Sequence, residues 1–90
     1  MHTHLIVSGH VQGVGFRFTA QQHATKYNLV GWVKNNPDGT VELEVEGPKN
    51  KINLFVNELE AGFNRFIQVD HVKQNTSNDE KGYKQFTIKH

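Results

Sequence analysis

The chain has 90 residues, with ten Lys and Arg against nine Asp and Glu and a formal net charge of +1. This balance excludes attraction to nucleic acid or anionic lipid by bulk charge. The absence of cysteine excludes disulfides, thiolate chemistry and a cysteine-based zinc site. No apolar run has the length of a membrane span, and MHTHLIVSG lacks the features of a signal peptide. We therefore expect one domain over residues 1–90, located in the cytoplasm.

The first part of the chain predicts a strand, a glycine-rich loop and a helix. Residues 5–9 form a short apolar segment that is typical of a central strand. After the loop GHVQGVGFR, apolar residues recur at helical spacing and predict a helix over roughly residues 17–27. Asn28 then stands where a helix ends in a left-handed residue, a conformation that Asn tolerates.

The next stretch, residues 29–47, predicts a β-hairpin. Its first strand is rich in branched and aromatic residues, and Asn36-Pro37-Asp38-Gly39 has the composition of a turn. Beyond the turn, valine and leucine alternate strictly with glutamate. We therefore expect one buried face and one acidic, solvated face formed by Glu42, Glu44 and Glu46.

The last part of the chain predicts a second helix and a final pair of strands. Apolar residues follow helical spacing after Pro48, at Ile52, Phe55, Val56, Leu59 and Phe63. A strand over residues 66–75, a polar loop over 75–82 and a strand with Phe86 and Ile88 on one face complete the chain. The order predicts an α+β ferredoxin-like sandwich (βαββαβ), an antiparallel sheet with both helices on one face, with room for a short fifth strand.

The glycine-rich loop has the composition of an anion site. Gly13 and Gly15 permit positive φ, so that successive backbone N–H groups can turn inward at the positive end of the following helix. Arg17 opposes the helix dipole at that position, and a bound anion would remove the conflict. Taken alone, the loop is explained as simply by a sharp turn followed by a solvated arginine.

A second polar candidate stands at the end of the second strand. If the sheet places this strand beside the first, Asn35 projects toward the loop, where a carboxamide could orient a water without titrating. The alternative is that Asn35 and Asn36 only lead into the turn, which we expect for Asn36.

Two stretches, Gly9–Arg17 and Gly31–Val41, resemble the two signature stretches of the acylphosphatase family. The similarity covers nearly the whole chain, and the family fold is the ferredoxin-like sandwich. A departure is Asn28, where the family usually has glycine. The resemblance implies hydrolysis of the carboxyl–phosphate bond of small acyl phosphates to a carboxylate and inorganic phosphate.

The resemblance also implies roles for individual residues. Arg17 matches the family's phosphate-binding arginine, and Asn35 matches the asparagine that positions the attacking water. The amides of the loop match the family's phosphate cradle, which here comprises Gln12, Gly13, Val14, Gly15, Phe16 and Arg17. The leaving carboxylate needs no proton, so positioning and electrostatics suffice and we expect neither a metal nor another cofactor.

Histidines give no reason to expect a metal. His2 and His4 lie two residues apart, but at a frayed N-terminus without a third ligand we expect them to be exposed. His10 lies inside the first signature stretch at a usually polar position, and we assign it no catalytic role. We expect Trp32 and Phe63 in the core.

Two functions of other classes compete with an enzyme. RNA-recognition modules share this sandwich, but they need aromatic residues on the open sheet face and basic surroundings, whereas this chain places glutamates there. A domain that binds phosphate or acyl phosphates without turnover is disfavoured by the presence of both Arg17 and Asn35 in a chain of the length of the free-standing enzymes. We expect a monomer, because the acidic strand offers no adhesive interface.

Overall fold

Five strands and two helices make up the computed structural model, which describes residues Met1–His90. In chain order the elements are β1 (His2–His10), α1 (Phe16–Lys26), β2 (Val30–Asn35), β3 (Val41–Glu46), α2 (Lys49–Glu60), β4 (Gln68–Ser77) and β5 (Phe86–Lys89). The predicted order is confirmed, and the short fifth strand is present. Asn28 has a φ of 58°, the left-handed conformation expected after α1.

The strands form one sheet in the order β4-β1-β3-β2-β5. β1 pairs antiparallel with β3 and β4, and β2 pairs antiparallel with β3, which is the ferredoxin-like arrangement. The sheet is mixed rather than wholly antiparallel as predicted, because β5 pairs parallel with β2. The last residues of β4 and the first residues of β2 lie at the same end of the sheet. The chain crosses from one edge strand to the other at this end, so β5 runs in the same direction as β2.

The hydrophobic core lies between the sheet and the two helices. Seventeen buried apolar residues form one cluster, including the predicted inward faces of both helices: Phe16, Ala20, Ala24, Ile52, Phe55, Val56 and Leu59. Phe63 packs against this cluster, with its ring centroid 5.5 Å from that of Phe16 and 5.8 Å from that of Phe55. Burial of this apolar face is the main force that holds α1 and α2 against the sheet.

The opposite face of the sheet is not the solvated acidic surface predicted from the alternation in β3. Glu44 is 7% exposed and Glu46 is 2% exposed. The segment over residues 78–85 crosses this face, and Glu46 accepts hydrogen bonds from the backbone amides of Lys81, Gly82 and Tyr83 at 2.5, 3.1 and 3.4 Å. The prediction was wrong because alternation separates two faces but does not indicate which segment covers each of them.

The two N-terminal histidines are part of the same face, so the prediction that they are frayed and exposed was also wrong. His2 is 8% exposed, and its Nε2 lies 2.9 Å from Glu44 Oε1. His4 Nε2 lies 2.6 Å from Glu42 Oε2. Trp32 is buried, as predicted, but on this face rather than in the core cluster, and its Nε1 donates to the hydroxyl of Tyr83 at 3.0 Å.

Candidate active site

A cleft of about 210 Å³ opens at the N-terminus of α1. Three parts of the chain line it: the glycine-rich loop with the first turn of α1, the end of β2 and the end of β5. The lining residues are Val11, Gly13, Gly15, Phe16, Arg17, Phe18, Asn35, Ile88 and His90. Arg17 and Asn35, which are far apart in sequence, therefore meet at one cleft.

The backbone of the loop presents a row of free hydrogen-bond donors. The amides of residues 12–17 donate to no backbone carbonyl and to no side chain of the protein. Gly15 is the N-cap of α1 and provides no side-chain cap, and the first turn of the helix contains no acidic residue. The partial positive charge of the helix N-terminus is therefore uncompensated by the protein and faces the cleft.

Two glycines give the loop its shape. Gly13 has a φ of 78° and Gly15 a φ of 77°, a conformation that costs other residues strain. A Cβ atom added at either position would meet no atom within 4 Å. The space beside both glycines is therefore open, and a ligand can approach the backbone closely.

The side chain of Gln12 holds the loop in place. Its Nε2 donates to the backbone carbonyls of Asn36 and Thr40, at 2.8 Å each, and so ties the loop to the β2–β3 turn. Asn36 itself donates through Nδ2 to the Thr40 hydroxyl at 3.0 Å, the turn role expected for it. Gln12 and Val14 do not line the cleft; Val14 packs against the hydrophobic core instead.

Arg17 extends toward the end of β5. Its Nη1 donates to the carbonyl of Lys89 at 3.3 Å and lies 3.4 Å from Nδ1 of His90. Sequence reasoning missed Ile88 and His90 as cleft residues, because only the parallel pairing of β5 with β2 brings them there. In that pairing Lys34 lies opposite Lys89, so the residue after Lys89 is level with Asn35.

Asn35 reaches the cleft by a route other than the predicted one. β3 lies between β1 and β2, so β2 is not beside the first strand. The last residue of β2 instead meets the start of α1, which packs against β2 and β5. Asn35 is partly buried, and its carboxamide makes no hydrogen bond within the protein. It is free to contact a ligand or a water.

The charges at the cleft favour an anion. Arg17 is a cation at its wall, and no Asp or Glu side chain lines it. Preorganised amides and a guanidinium can bind the oxygens of a phosphoryl group, and a neutral carboxamide can orient a water. No group of three His, Asp or Glu side chains is arranged to hold a metal ion.

Neither helix is long and apolar enough to cross a membrane.

Comparison with known proteins adds to this geometry. The family model described as Acylphosphatase matches residues 3–88. The chain belongs to the acylphosphatase family. Acylphosphatase of Geobacillus kaustophilus is 46% identical over 83 residues, which are 90% of this chain and 88% of the relative. Acylphosphatase of Bacillus subtilis is 43% identical over 84 residues, 93% of this chain and 91% of the relative.

Solved structures of this family and of a larger protein contain the same fold. The crystal structure of the acylphosphatase from Bacillus subtilis superposes with a TM-score of 0.94 at 40% identity, over 99% of this chain and 98% of that one. Full-length HypF, in its phosphate- and nucleotide-bound form, gives a TM-score of 0.90 at 34% identity. That match covers 99% of this chain but 12% of HypF, so the fold of this acylphosphatase-family chain also occurs as a part of a longer protein.

Proposed function

We propose that residues 1–90 act as a single domain that hydrolyses the carboxyl–phosphate bond of small acyl phosphates. Membership of the acylphosphatase family indicates the class of reaction. The observation that supports the mechanism is the meeting, at one cleft, of the loop residues Gly13, Gly15 and Phe16 with their free amides, of Arg17 and of Asn35. An acyl phosphate has a phosphoryl group that the loop amides and Arg17 can bind. Its phosphorus is electrophilic and can be attacked by a water that Asn35 holds.

The amides of residues 12–17 and the Arg17 guanidinium hold the phosphoryl oxygens. The amides are in place before the substrate arrives, because the loop is fixed by Gln12 and the helix start by its own backbone. Such donors stabilise the charge that spreads over the equatorial oxygens in the transition state without reorganising. Arg17 exchanges its weak contacts near His90 for the phosphoryl oxygens.

Asn35 orients the water in line with the bond that breaks. The water oxygen forms a bond to phosphorus, and the bond from phosphorus to the bridging oxygen breaks with its electron pair on the leaving carboxylate. A carboxylate is stable without a proton, so no general acid is required. A phosphoryl oxygen of the substrate accepts the proton of the water, since the residues that line the cleft include no carboxylate base. The charge supplied by Arg17 and the amides makes a metal ion unnecessary.

Release of inorganic phosphate from benzoyl phosphate tests the assignment. Arg17→Ala should lose phosphate binding in calorimetry and ~10²–10³ in rate, the typical effect of one preorganised donor. Arg65→Ala is the matched control, because Arg65 is exposed and does not line the cleft. A parent rate in Arg17→Ala would contradict the role of the guanidinium.

Asn35→Ala separates binding from chemistry. This variant should bind inorganic phosphate as the parent does but lose turnover, because the water is no longer oriented. Asn53→Ala, at an exposed position of α2 away from the cleft, should keep both properties. Hydrolysis of benzoyl phosphate by Asn35→Ala at the parent rate would show that Asn35 does not position the water. Addition of a chelator should leave the parent rate unchanged.

A domain that binds acyl phosphates without turnover is the second candidate, because the same fold forms 12% of HypF, a longer protein whose structure was solved in a phosphate- and nucleotide-bound form. The phosphate-release assay decides between the two candidates, since a binding module would show phosphate affinity and no release.

Further properties complete the proposal. We expect a monomer, measured by light scattering, and a location in the cytoplasm, measured by fractionation. We also expect no salt-dependent binding to RNA in a filter assay, because Glu42, Glu44 and Glu46 and the segment over residues 78–85 occupy the sheet face on which RNA-recognition modules place stacking aromatics.

A further inference from the structure

One exposed aromatic side chain stands at the cleft. The large apolar side chains that are exposed in this fold are Phe18 at 58%, Leu54 at 45% and Phe66 at 67%. Phe18 alone among them lines the cleft. It occupies the first turn of α1 directly after Arg17, so its ring borders the place where the phosphoryl group binds in the proposed reaction.

The other apolar residues of the cleft have little surface to offer a ligand. Val11 and Phe16 are each 1% exposed and belong to the core, and Ile88 is partly buried against it. Phe18 is therefore the most exposed apolar side chain that lines the cleft. No acidic side chain and no lysine lines the cleft. A positively charged acyl group would accordingly find no carboxylate, and a negatively charged one would find only His90 beside Arg17, which the phosphoryl group already occupies.

We infer that Phe18 forms the binding surface for the acyl group and selects acyl phosphates with apolar, above all aromatic, acyl groups. The inference rests on the proposed function and deepens it. A group bonded to a phosphate at Arg17 lies within reach of the next side chain of α1. A benzoyl ring can pack against the exposed ring of Phe18 and remove apolar surface of both from water, whereas an acetyl methyl covers little of it.

Turnover of two substrates tests the selection. The ratio of kcat/KM for benzoyl phosphate to that for acetyl phosphate should fall about tenfold in Phe18→Ala, mostly through KM, the size expected for an apolar contact in an open cleft. Phe18→Leu should keep part of the ratio, since it retains apolar surface. Phe66→Ala is the matched control, as it removes another exposed phenylalanine, which lies outside the cleft, and should leave both rates unchanged. An unchanged ratio in Phe18→Ala would overturn the inference.

Binding of unreactive analogues separates this inference from the proposed function. Benzoylphosphonate and acetylphosphonate join the acyl carbon directly to phosphorus and contain no anhydride to hydrolyse. The parent should bind benzoylphosphonate more tightly, and Phe18→Ala should lose about tenfold of that preference in calorimetry. If the parent hydrolyses neither acyl phosphate but shows this preference, the proposed function fails and the role of Phe18 stands. If the parent is active and the preference does not depend on Phe18, the inference fails alone.

Discussion

Replacing Glu44 with glutamine should remove a large part of the acid sensitivity of the fold. Burial of the Glu44 carboxyl raises its pKa, but hydrogen bonds from His2, Tyr83 and Lys81 outweigh the burial and hold the pKa at about 2. The Tyr83 hydroxyl donates at 2.7 Å, and Lys81 Nζ lies 3.3 Å away. These partners favour the ionised carboxylate in the folded state and are lost on unfolding.

The magnitude follows from linkage between protonation and folding. The pKa of Glu44 falls from its ordinary value of 4.5 to about 2 in the folded protein. At about 1.4 kcal/mol per pKa unit, ionised Glu44 contributes about 3 kcal/mol to the free energy of unfolding. Because the folded pKa is depressed, the contribution is fully present above pH 4.5 and is lost as the pH falls through about 2. The loss is a large share of the 5–15 kcal/mol typical of a domain.

Urea unfolding at a series of pH values between 6 and 2 measures this effect. Trp32 is the sole tryptophan of the chain and donates a hydrogen bond to Tyr83, a partner of Glu44. Its fluorescence therefore reports on the sheet face that contains Glu44. Glu44→Gln should be about 3 kcal/mol less stable than the parent near pH 6, and the difference should shrink toward zero near pH 2. With a slope of about 1 kcal/mol per molar urea, the midpoints should differ by about 3 M at the higher pH.

Two outcomes would refute the reasoning. A constant difference between the parent and Glu44→Gln across this pH range would mean that the carboxylate is not preferentially stabilised in the fold. An equal loss of unfolding free energy in Glu60→Gln would also show that the Glu44 carboxylate is not preferentially stabilised, because Glu60 is exposed and has no hydrogen-bond partner. Other carboxylates with lowered pKa values, among them Glu42 and Glu58, contribute equally to the stability of parent and variant, so their contribution cancels in the difference.

Two predictions concern the loop of the cleft. Gln12→Ala removes both hydrogen bonds to the β2–β3 turn, and we expect weaker binding of inorganic phosphate and a lower kcat with about 1–3 kcal/mol lost in urea unfolding; parent affinity for phosphate would contradict a role in shaping the cradle. Gly15→Ala and Gly39→Ala both place a side chain at positive φ in open space, so each should cost about 1–2 kcal/mol of stability. Only Gly15→Ala should also weaken phosphate binding in calorimetry, and an equal effect of Gly39→Ala would show that the loss reflects stability alone.

Local patterns in the sequence predicted the elements correctly because their determinants are local. The spacing of Ile52, Phe55, Val56 and Leu59 identified α2 and its buried face, since helical periodicity brings residues three and four apart together. Asn28 has the left-handed φ that its position after α1 indicated. The glycines of the loop take the positive φ that their residue type allows. The bounds of α1 and β4 differ from the predicted ones by one or two residues.

The composition of the cleft could be predicted only in part. Gly13, Gly15 and Arg17 stand within five residues of each other, and their types already suggested an anion site. Asn35 was indicated by its position at the end of the second strand and by the family resemblance, but the condition that its strand lies beside the first is not met, because β3 intervenes. Ile88 and His90 had no local signal, since their place depends on which edge of the sheet β5 joins.

The sequence by itself thus determined the elements, the order in which they follow and the chemistry of the glycine-rich loop, because each depends on residues close together in the chain. Only the tertiary structure decided that Glu44 and Glu46 are buried and that β5 contributes to the cleft. Both outcomes depend on the segment over residues 78–85, which crosses the sheet from β4 at one edge to β5 at the other. The alternation of β3 is the same whether its polar face meets water or the amides of a distant segment, so no local pattern could distinguish the two.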